Sequence, residues 1–482
     1  MVNTSLEEKV RSCFQDMTVY KKPSQNKFFS SLSIPPYLRD WLIMRFADEN
    51  GNVDLEQVAA FVRESIPGQK EWELLKSAMI QDGRSVRFLA KLRVDIDVST
   101  GEALFSLPDL GFPQRKSEAI IDERVLNAYR NELLANSETW GVIECEWRRR
   151  IVGGQERDGA IYMTDFKPFQ PYTVDLQFFQ EARKEFTLEE WIDTILMAID
   201  FNPAGFLNVS QKLTLLSRLL PFVERRVNLI ELAPKGTGKS YVMSQISKYG
   251  WLVSGGSITR ARLFYDIGRK TPGLVSRYDY IALDEVQTIT FVDVDEMRGA
   301  LKGYLESGDY RVGDYRGVGD AGVILMGNIP DEKMNENINM FTELPYAFQE
   351  SALIDRFHGF IQGWQVPRMR ENMKAEGWAL NVEYFSEILH ALRSEIIYAA
   401  LVDELLEVPR SADTRDTTAV KRLCTGFMKL FFPHVQRIDD VDKEQFEDYC
   451  LRPALQMRAV IRRQLHLMDP EYQDSIPDIK VR

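Results

Sequence analysis

Between Val227 and Gly250 the chain passes from the apolar run VNLIEL, through APKGTGKS, into YVMSQISKYG. That order asks for a buried strand, a tight glycine-rich loop and a helix, and it constrains the fold more than any other stretch. Gly236 and Gly238 let the backbone amides turn inward on phosphate groups, and Lys239 can neutralise the β- and γ-phosphates. Ser240 offers a hydroxyl to magnesium, and Pro234, Lys235 and Thr237 complete the cradle. Ala233 stands where the general pattern has its first glycine, which narrows the dihedrals there but leaves the glycines nearest the phosphates intact. ATP and Mg are therefore the expected cofactors.

Two further apolar strands end in residues suited to the same chemistry. Tyr278 to Val286 reads YDYIALDEV, which puts Asp284 and Glu285 at a strand's carboxyl end, where parallel sheets present their ligands. Asp284 is expected to hold the metal, and Glu285 to polarise the attacking water. Ala321 to Asn328 reads AGVILMGN and brings Asn328 to a position from which it can orient that water. In SALIDRFHG, Arg356 follows a short helix, where its guanidinium can stabilise transition-state charge on a neighbouring subunit's nucleotide. The helical segment DTTAVKRLCTGFMKLFFP places Lys421 and Arg422 where a lid would sit, and one or the other is expected to sense nucleotide from its own subunit. None of His358, His390, His434 and His466 belongs to a metal-binding pattern.

A length of 482 residues allows about three domains at roughly 150 residues each. Residues 1–33 are polar and stop at Pro35-Pro36, so folded structure is expected from Ile34 onward. Residues 34–175 carry helical spacing around 41–77, then strict alternation from Val86 to Val98 and again from Gly141 to Val152, the pattern of an α+β domain. Phe169-Gln170-Pro171 reads as a linker, after which Thr187 and Glu190 form a capping box. An ATPase core is expected over 176–370 and a helical lid with a carboxy-terminal segment over 371–482. The fold class is thus α/β, a P-loop core with a helical lid, preceded by a smaller α+β domain.

The net charge of -12 rules out a uniformly basic coat for nucleic acid, but a ring can hide basic faces inside an acidic exterior. Candidate DNA contacts are Arg87, Lys91 and Arg93 on one strand face, Arg148, Arg149 and Arg150 on another, and Arg311 and Arg316 on a hairpin between Glu306 and Asp320 that also carries Tyr310 and Tyr315. Four scattered cysteines suggest neither a disulfide framework nor zinc. With no leader-like start and no run of about 18 apolar residues, a cytoplasmic protein without a membrane partner is expected.

The runs FTLEEWIDTIL, ERRVNLIELAPKGTGKSYV, SGGSITRARLF, YLESGDYRVG and DRFHGFIQGWQVP together resemble the BrxL family, the Lon-related AAA+ proteins of bacterial BREX phage-defence systems. The resemblance runs over most of the chain and is far more specific than a bare P-loop. It implies an AAA+ core, a homo-oligomeric ring of six or seven subunits, single or stacked, ATP use, DNA binding aided by the N-terminal region, and other phage-defence proteins as partners. The tail LRPALQMRAVIRRQLHLMDPEY looks like the segment that in longer members precedes a Lon-protease-like domain, and no proteolysis is expected of a chain that stops at Arg482. The competing readings are an ATP-dependent protein unfoldase, whose pore loop would grip polypeptide with aromatic residues, and a nucleotide-gated scaffold, against which Glu285 and Arg356 weigh.

Overall fold

The computed structural model describes residues 4–25, 28–29, 32, 34, 36–48, 51–134, 138–152, 155–169, 174–268 and 270–482. The chain forms two compact units: one of residues 1–27, 34–44 and 174–482, the other of residues 28–33 and 45–173. The linker read at Phe169-Gln170-Pro171 falls largely outside the described residues, as does Pro35.

The amino-terminal segment departs from the expectation of a polar stretch outside the folded region. Leu6, Val10 and Phe14 recur every four residues, which makes one apolar stripe on the helix Thr4–Phe14. All three are buried. The Phe14 ring lies 6.0 Å from both Phe179 and Phe186 and 6.3 Å from Trp191. Strand β1 (Thr18–Lys21) then pairs antiparallel with Gly377–Leu380. A polar average composition hides this because three apolar residues on one face suffice to dock a short helix.

The second unit is built around a closed barrel of β2 (Val86–Ile96), β3 (Ala103–Ser106), β4 (Ala119–Ile121), β5 (Thr139–Val152) and β6 (Gln155–Pro168), in the order β2-β3-β4-β6-β5. β5 closes onto β2, and every neighbouring pair is antiparallel except β4 with β6. Alternation along β2 works as its sequence implies: Phe88, Ala90 and Leu92 enter the core with Phe105, Ile143 and Phe166. The strand ends at Ile96 because Asp97 opens a turn, its carbonyl accepting from the Gly101 amide at 2.7 Å and its side chain from the Ser99 amide at 2.8 Å.

In the first unit, β7 (Leu229–Ala233), β8 (Gly250–Ile258), β9 (Tyr280–Phe291), β12 (Gly322–Asn328) and β13 (Gly359–Gln362) make a five-stranded sheet in the order β13-β7-β12-β9-β8, all neighbours parallel. An antiparallel hairpin of β10 (Asp309–Val312) and β11 (Tyr315–Val318) intervenes between β9 and β12 in the chain. β7 is buried throughout, and β12 is buried except at its last residue, as strands covered on both faces must be. This order brings the carboxyl ends of β7 and β12, with Asn328 opposite Ala233 in register, beside the middle of β9, where pairing with β12 stops after Leu283 and the register with β8 shifts between Asp284 and Ile289. β9 runs on to Phe291, so Asp284 and Glu285 lie within the strand and not at its carboxyl end, where the sequence puts them, because the chain resumes pairing with β8 beyond the shift.

Candidate nucleotide site

The loop after β7 turns on two glycines in the left-handed region, Gly236 at φ 83° and Gly238 at φ 76°, conformations that a side chain would strain. The helix Lys239–Gln245 starts immediately afterwards. Lys239 Nζ donates to Pro234 O at 3.2 Å and to Asn328 Oδ1 at 3.0 Å, so the ends of β7 and β12 share one ammonium. Burial holds that ammonium below the ordinary lysine range, opposed by the Glu231 carboxylate. Ser240 Oγ donates to Asp284 Oδ2 at 2.5 Å, tying the loop to the middle of β9, at the point where its pairing with β12 stops. The structure thus brings Lys239, Ser240, Asp284 and Asn328 together from three separate strands. Pro234, Lys235, Gly236, Thr237 and Gly238 form the loop itself.

Glu285 is exposed and takes φ 48°, an uncommon conformation for a residue with a side chain. Its amide donates to Asp284 Oδ1 at 2.9 Å. Backbone strain of this kind at the mouth of a site costs about 1–3 kcal/mol and is held only where the surroundings over-determine it. Gln287 Nε2 donates to the Asn328 carbonyl, a second link between β9 and β12.

The hydroxyl of Ser240 and the carboxylate of Asp284 are hard oxygen donors, the ligand type that magnesium takes in ones and twos while phosphates and water fill its other positions. Among the described residues no group of three or more His, Cys, Asp or Glu could hold a metal by itself. The donor set therefore fits magnesium brought in with a nucleotide.

Arg356 does not join this cluster. It precedes β13, whose Gly359 pairs with Leu229, so it lies at the amino ends of the strands, opposite the loop. There it forms an ion pair with Glu306, Nε to Oε2 at 2.8 Å, and donates to Ala352 O. Lys421 and Arg422 do not reach the loop either. Both lie on the helix Thr414–Phe431, where Lys421 pairs with Asp403 at 2.8 Å and Arg422 donates to Arg226 O at 3.2 Å beside His358 Nε2 at 3.3 Å. Arg226 and His358 precede β7 and β13, so the Arg422 guanidinium sits at the sheet's amino edge, and the expectation that either residue senses nucleotide in its own subunit is corrected. The helix is amphipathic as read, and it packs against the helix Ile397–Leu405, the segment Leu220–Val223 and the helix Arg452–Met468.

The DNA candidates are dispersed, and several are already paired. Arg87 is exposed opposite Glu144 in register. Lys91 pairs with Asp109 at 2.9 Å and with Glu138 at 3.8 Å, while Arg93 pairs with Glu138 at 2.8 Å. Arg148 pairs with Asp122 at 2.9 Å and with Glu146. Arg149 is exposed, and the Arg150 side chain lies outside the described residues. On the β10–β11 hairpin, Arg311 and Arg316 are exposed cross-strand partners. Tyr310 is buried with its hydroxyl 2.8 Å from Ser276 Oγ, and Tyr315 stacks on Tyr265 at 3.6 Å.

Two groups invisible in the sequence support the loop. Arg218, fully buried, pairs with Glu231 of β7 and also bonds Thr237 in the loop. Tyr241, next to Ser240, donates to Asp200, which Lys21 and Arg39 also bind at 2.6 and 2.9 Å. A carboxylate inside the five-residue strand LIELA is the local sign that a buried cation must answer it.

A parallel sheet along which a glycine-rich loop, a lysine, a serine, an aspartate and an asparagine meet belongs to a mixed α/β protein. The comparisons with known proteins agree with it. Residues 161–478 match the family model described as "Lon-like protease BrxL-like, ATPase domain", and residues 12–147 match "BREX system Lon protease-like protein BrxL N-terminal". The chain belongs to the BrxL family. It is 29% identical over 455 residues to the Lon-like protease BrxL of Escherichia coli O9:H4 (strain HS), covering 93% of this chain and 63% of that protein. It is also 29% identical over 460 residues to the Lon-like protease BrxL of Bacillus cereus (strain H3081.97), covering 93% of this chain and 65% of that one. The chain thus spans somewhat less than two thirds of the length of the curated relatives it matches. No helix among the described residues is long and apolar enough to cross a membrane.

Proposed function

We propose that the chain is an AAA+ ATPase of a BREX-type phage-defence system that hydrolyses ATP at subunit seams of a homo-oligomeric ring and engages DNA, working in the cytoplasm beside other defence proteins. The observation that carries the reading is the meeting of Lys239, Ser240, Asp284 and Asn328 at one edge of the sheet, with Arg356 at the opposite edge. In this reading the loop amides and Lys239 bind the β- and γ-phosphates, while Ser240 and Asp284 hold magnesium, which when bound neutralises phosphate charge. Glu285 orients the attacking water and takes its proton. Asn328, on the strand between the loop-bearing and acid-bearing strands, fixes that water's direction. Arg356 cannot reach the nucleotide of its own chain, which is what a guanidinium acting on a neighbour's γ-phosphate requires.

The nucleic-acid part of the reading is supported by two features. Five-stranded Greek-key barrels of the OB type bind oligonucleotides or oligosaccharides across one face, and β2 to β6 wind as such a barrel. On the β10–β11 hairpin, both tyrosines are occupied in packing while both arginines face solvent, which favours a phosphate backbone over a gripped polypeptide and weighs against the unfoldase alternative.

The test separates binding from chemistry. Lys239→Ala is expected to abolish nucleotide binding, whereas Glu285→Gln keeps binding and loses hydrolysis, measured by a fluorescent nucleotide analogue and by phosphate release. Unchanged turnover in Glu285→Gln would refute the assignment.

A further inference from the structure

Arg218 lies in the turn Ser217–Leu219, which precedes β7 in the chain, and its side chain is fully buried. Its guanidinium is used from end to end. Nε donates to Glu231 Oε2 at 3.0 Å and Nη2 to Glu231 Oε1 at 2.6 Å, a bidentate pair with a carboxylate that is itself fully buried. Nη1 donates to the backbone carbonyl of Thr237 at 2.8 Å, and Nη2 also reaches Thr237 Oγ1 at 3.3 Å. Thr237 sits between the two left-handed glycines. The preceding carbonyl, that of Gly236, is held separately by the amide of Met369 at 2.8 Å.

A trans peptide is planar, and its carbonyl and the next residue's N–H point in opposite directions. Fixing the Gly236 carbonyl toward Met369 therefore turns the Thr237 amide away from it, and fixing the Thr237 carbonyl toward Arg218 turns the Gly238 amide away from the protein interior. Successive amides aimed outward by such alternation form the concave nest that binds anions. A loop whose amides are aimed before the ligand arrives loses less conformational freedom on binding.

We propose that Arg218 is a positioning residue for the nucleotide: its guanidinium, held in one orientation by Glu231, braces the Thr237 carbonyl from beneath and thereby aims the Gly238 amide at the phosphates. The inference rests on the loop being the nucleotide site. Arginine suits the place because its rigid planar fork meets both Glu231 oxygens and the Thr237 carbonyl in one fixed orientation, whereas a lysine ammonium is a point charge on a flexible stem that fixes no such direction.

The measurement is the dissociation constant of a fluorescent ADP analogue, with the melting temperature, for the wild type, Arg218→Lys, the double variant Arg218→Met with Glu231→Met, and Lys239→Ala. Arg218→Lys keeps the buried charge pair but not the brace. The double variant replaces the pair by apolar side chains and leaves no buried unpaired charge, an exchange that buried pairs tolerate. Both are expected to melt within a few degrees of the wild type and to bind about tenfold or more weakly, the effect of one charge-assisted hydrogen bond. A purely structural role predicts instead that the double variant, its fold restored, binds as the wild type does. A folded Arg218→Lys or double variant with unchanged affinity overturns the proposal. Unfolding of both makes the contact a folding element and overturns it too. Undiminished binding by Lys239→Ala would instead remove the underlying reading of the site.

Discussion

Lys239 rests on neutral oxygens, Pro234 O and Asn328 Oδ1, while burial disfavours its charge. An arriving phosphate is a better partner than either, so occupation of the loop should draw the ammonium away and release the Asn328 amide to orient water. Asn328→Ala is then expected to leave nucleotide affinity within a few fold and to lower kcat by roughly 10- to 100-fold, on the scale of losing one positioned polar group. A dissociation constant that rises in step with the fall in kcat would make Asn328 a binding group and sink this role. Residues of this kind are legible in sequence because each ends an apolar run: Ala233 and the loop after LIEL, Asp284 after YIAL, Asn328 after VILMG. The strained backbone of Glu285 and the brace from Arg218 are not. A dihedral leaves no mark on a glutamate, and Arg218 stands in SRLLPF, where an arginine beside leucines looks like an ordinary amphipathic surface position until Glu231 is seen inside a buried strand.

At the scale of elements, periodicity gives a face but not the neighbour that covers it. The alternation in β2 does put Phe88 and Leu92 in the barrel core with Lys91 and Arg93 turned from it. What alternation cannot report is Glu138, about 45 residues away, which pairs with both cations. The same gap misassigned the helix carrying Lys421 and Arg422: its amphipathicity is plain, but which edge of the sheet it meets is decided by long-range packing. If β2 tracks a phosphate backbone, Glu138 and Asp109 oppose it, because Lys91 and Arg93 with these two acids carry no net charge. Glu138→Gln should therefore tighten binding to duplex DNA and steepen the log-log salt dependence by roughly 1 to 2 units, while some stability is lost because the Glu138 side chain is largely buried between its two cations. An unchanged slope in salt titrations by fluorescence anisotropy would take this strand out of the DNA interface.

For the whole molecule the decisive geometry is that the cluster of Lys239, Ser240, Asp284 and Asn328 and the residue Arg356 occupy opposite edges of one parallel sheet. Under the proposed function such a chain carries both halves of a catalytic site but cannot join them itself, and closed cyclic assembly is the simplest arrangement that would complete every site with identical contacts. Glu306 holds Arg356, and Arg415 joins the same carboxylate at 3.2 Å, so under the proposed function Arg356 would exchange Glu306 for a neighbour's phosphate. Arg356→Ala subunits are accordingly expected to bind ATP with wild-type affinity and to hydrolyse it more slowly by on the order of 10³, the scale of a guanidinium supplied in trans. Mixing them with Glu285→Gln subunits, themselves inactive, should restore part of the rate, because some seams then pair an intact Arg356 with an intact Glu285. The recovered rate should peak near equal proportions and vanish on dilution below assembly. Hydrolysis by the wild type that does not depend on protein concentration, or a mixture no faster than its components, would confine Arg356 to the ion pair with Glu306 and leave the seam without its proposed chemistry.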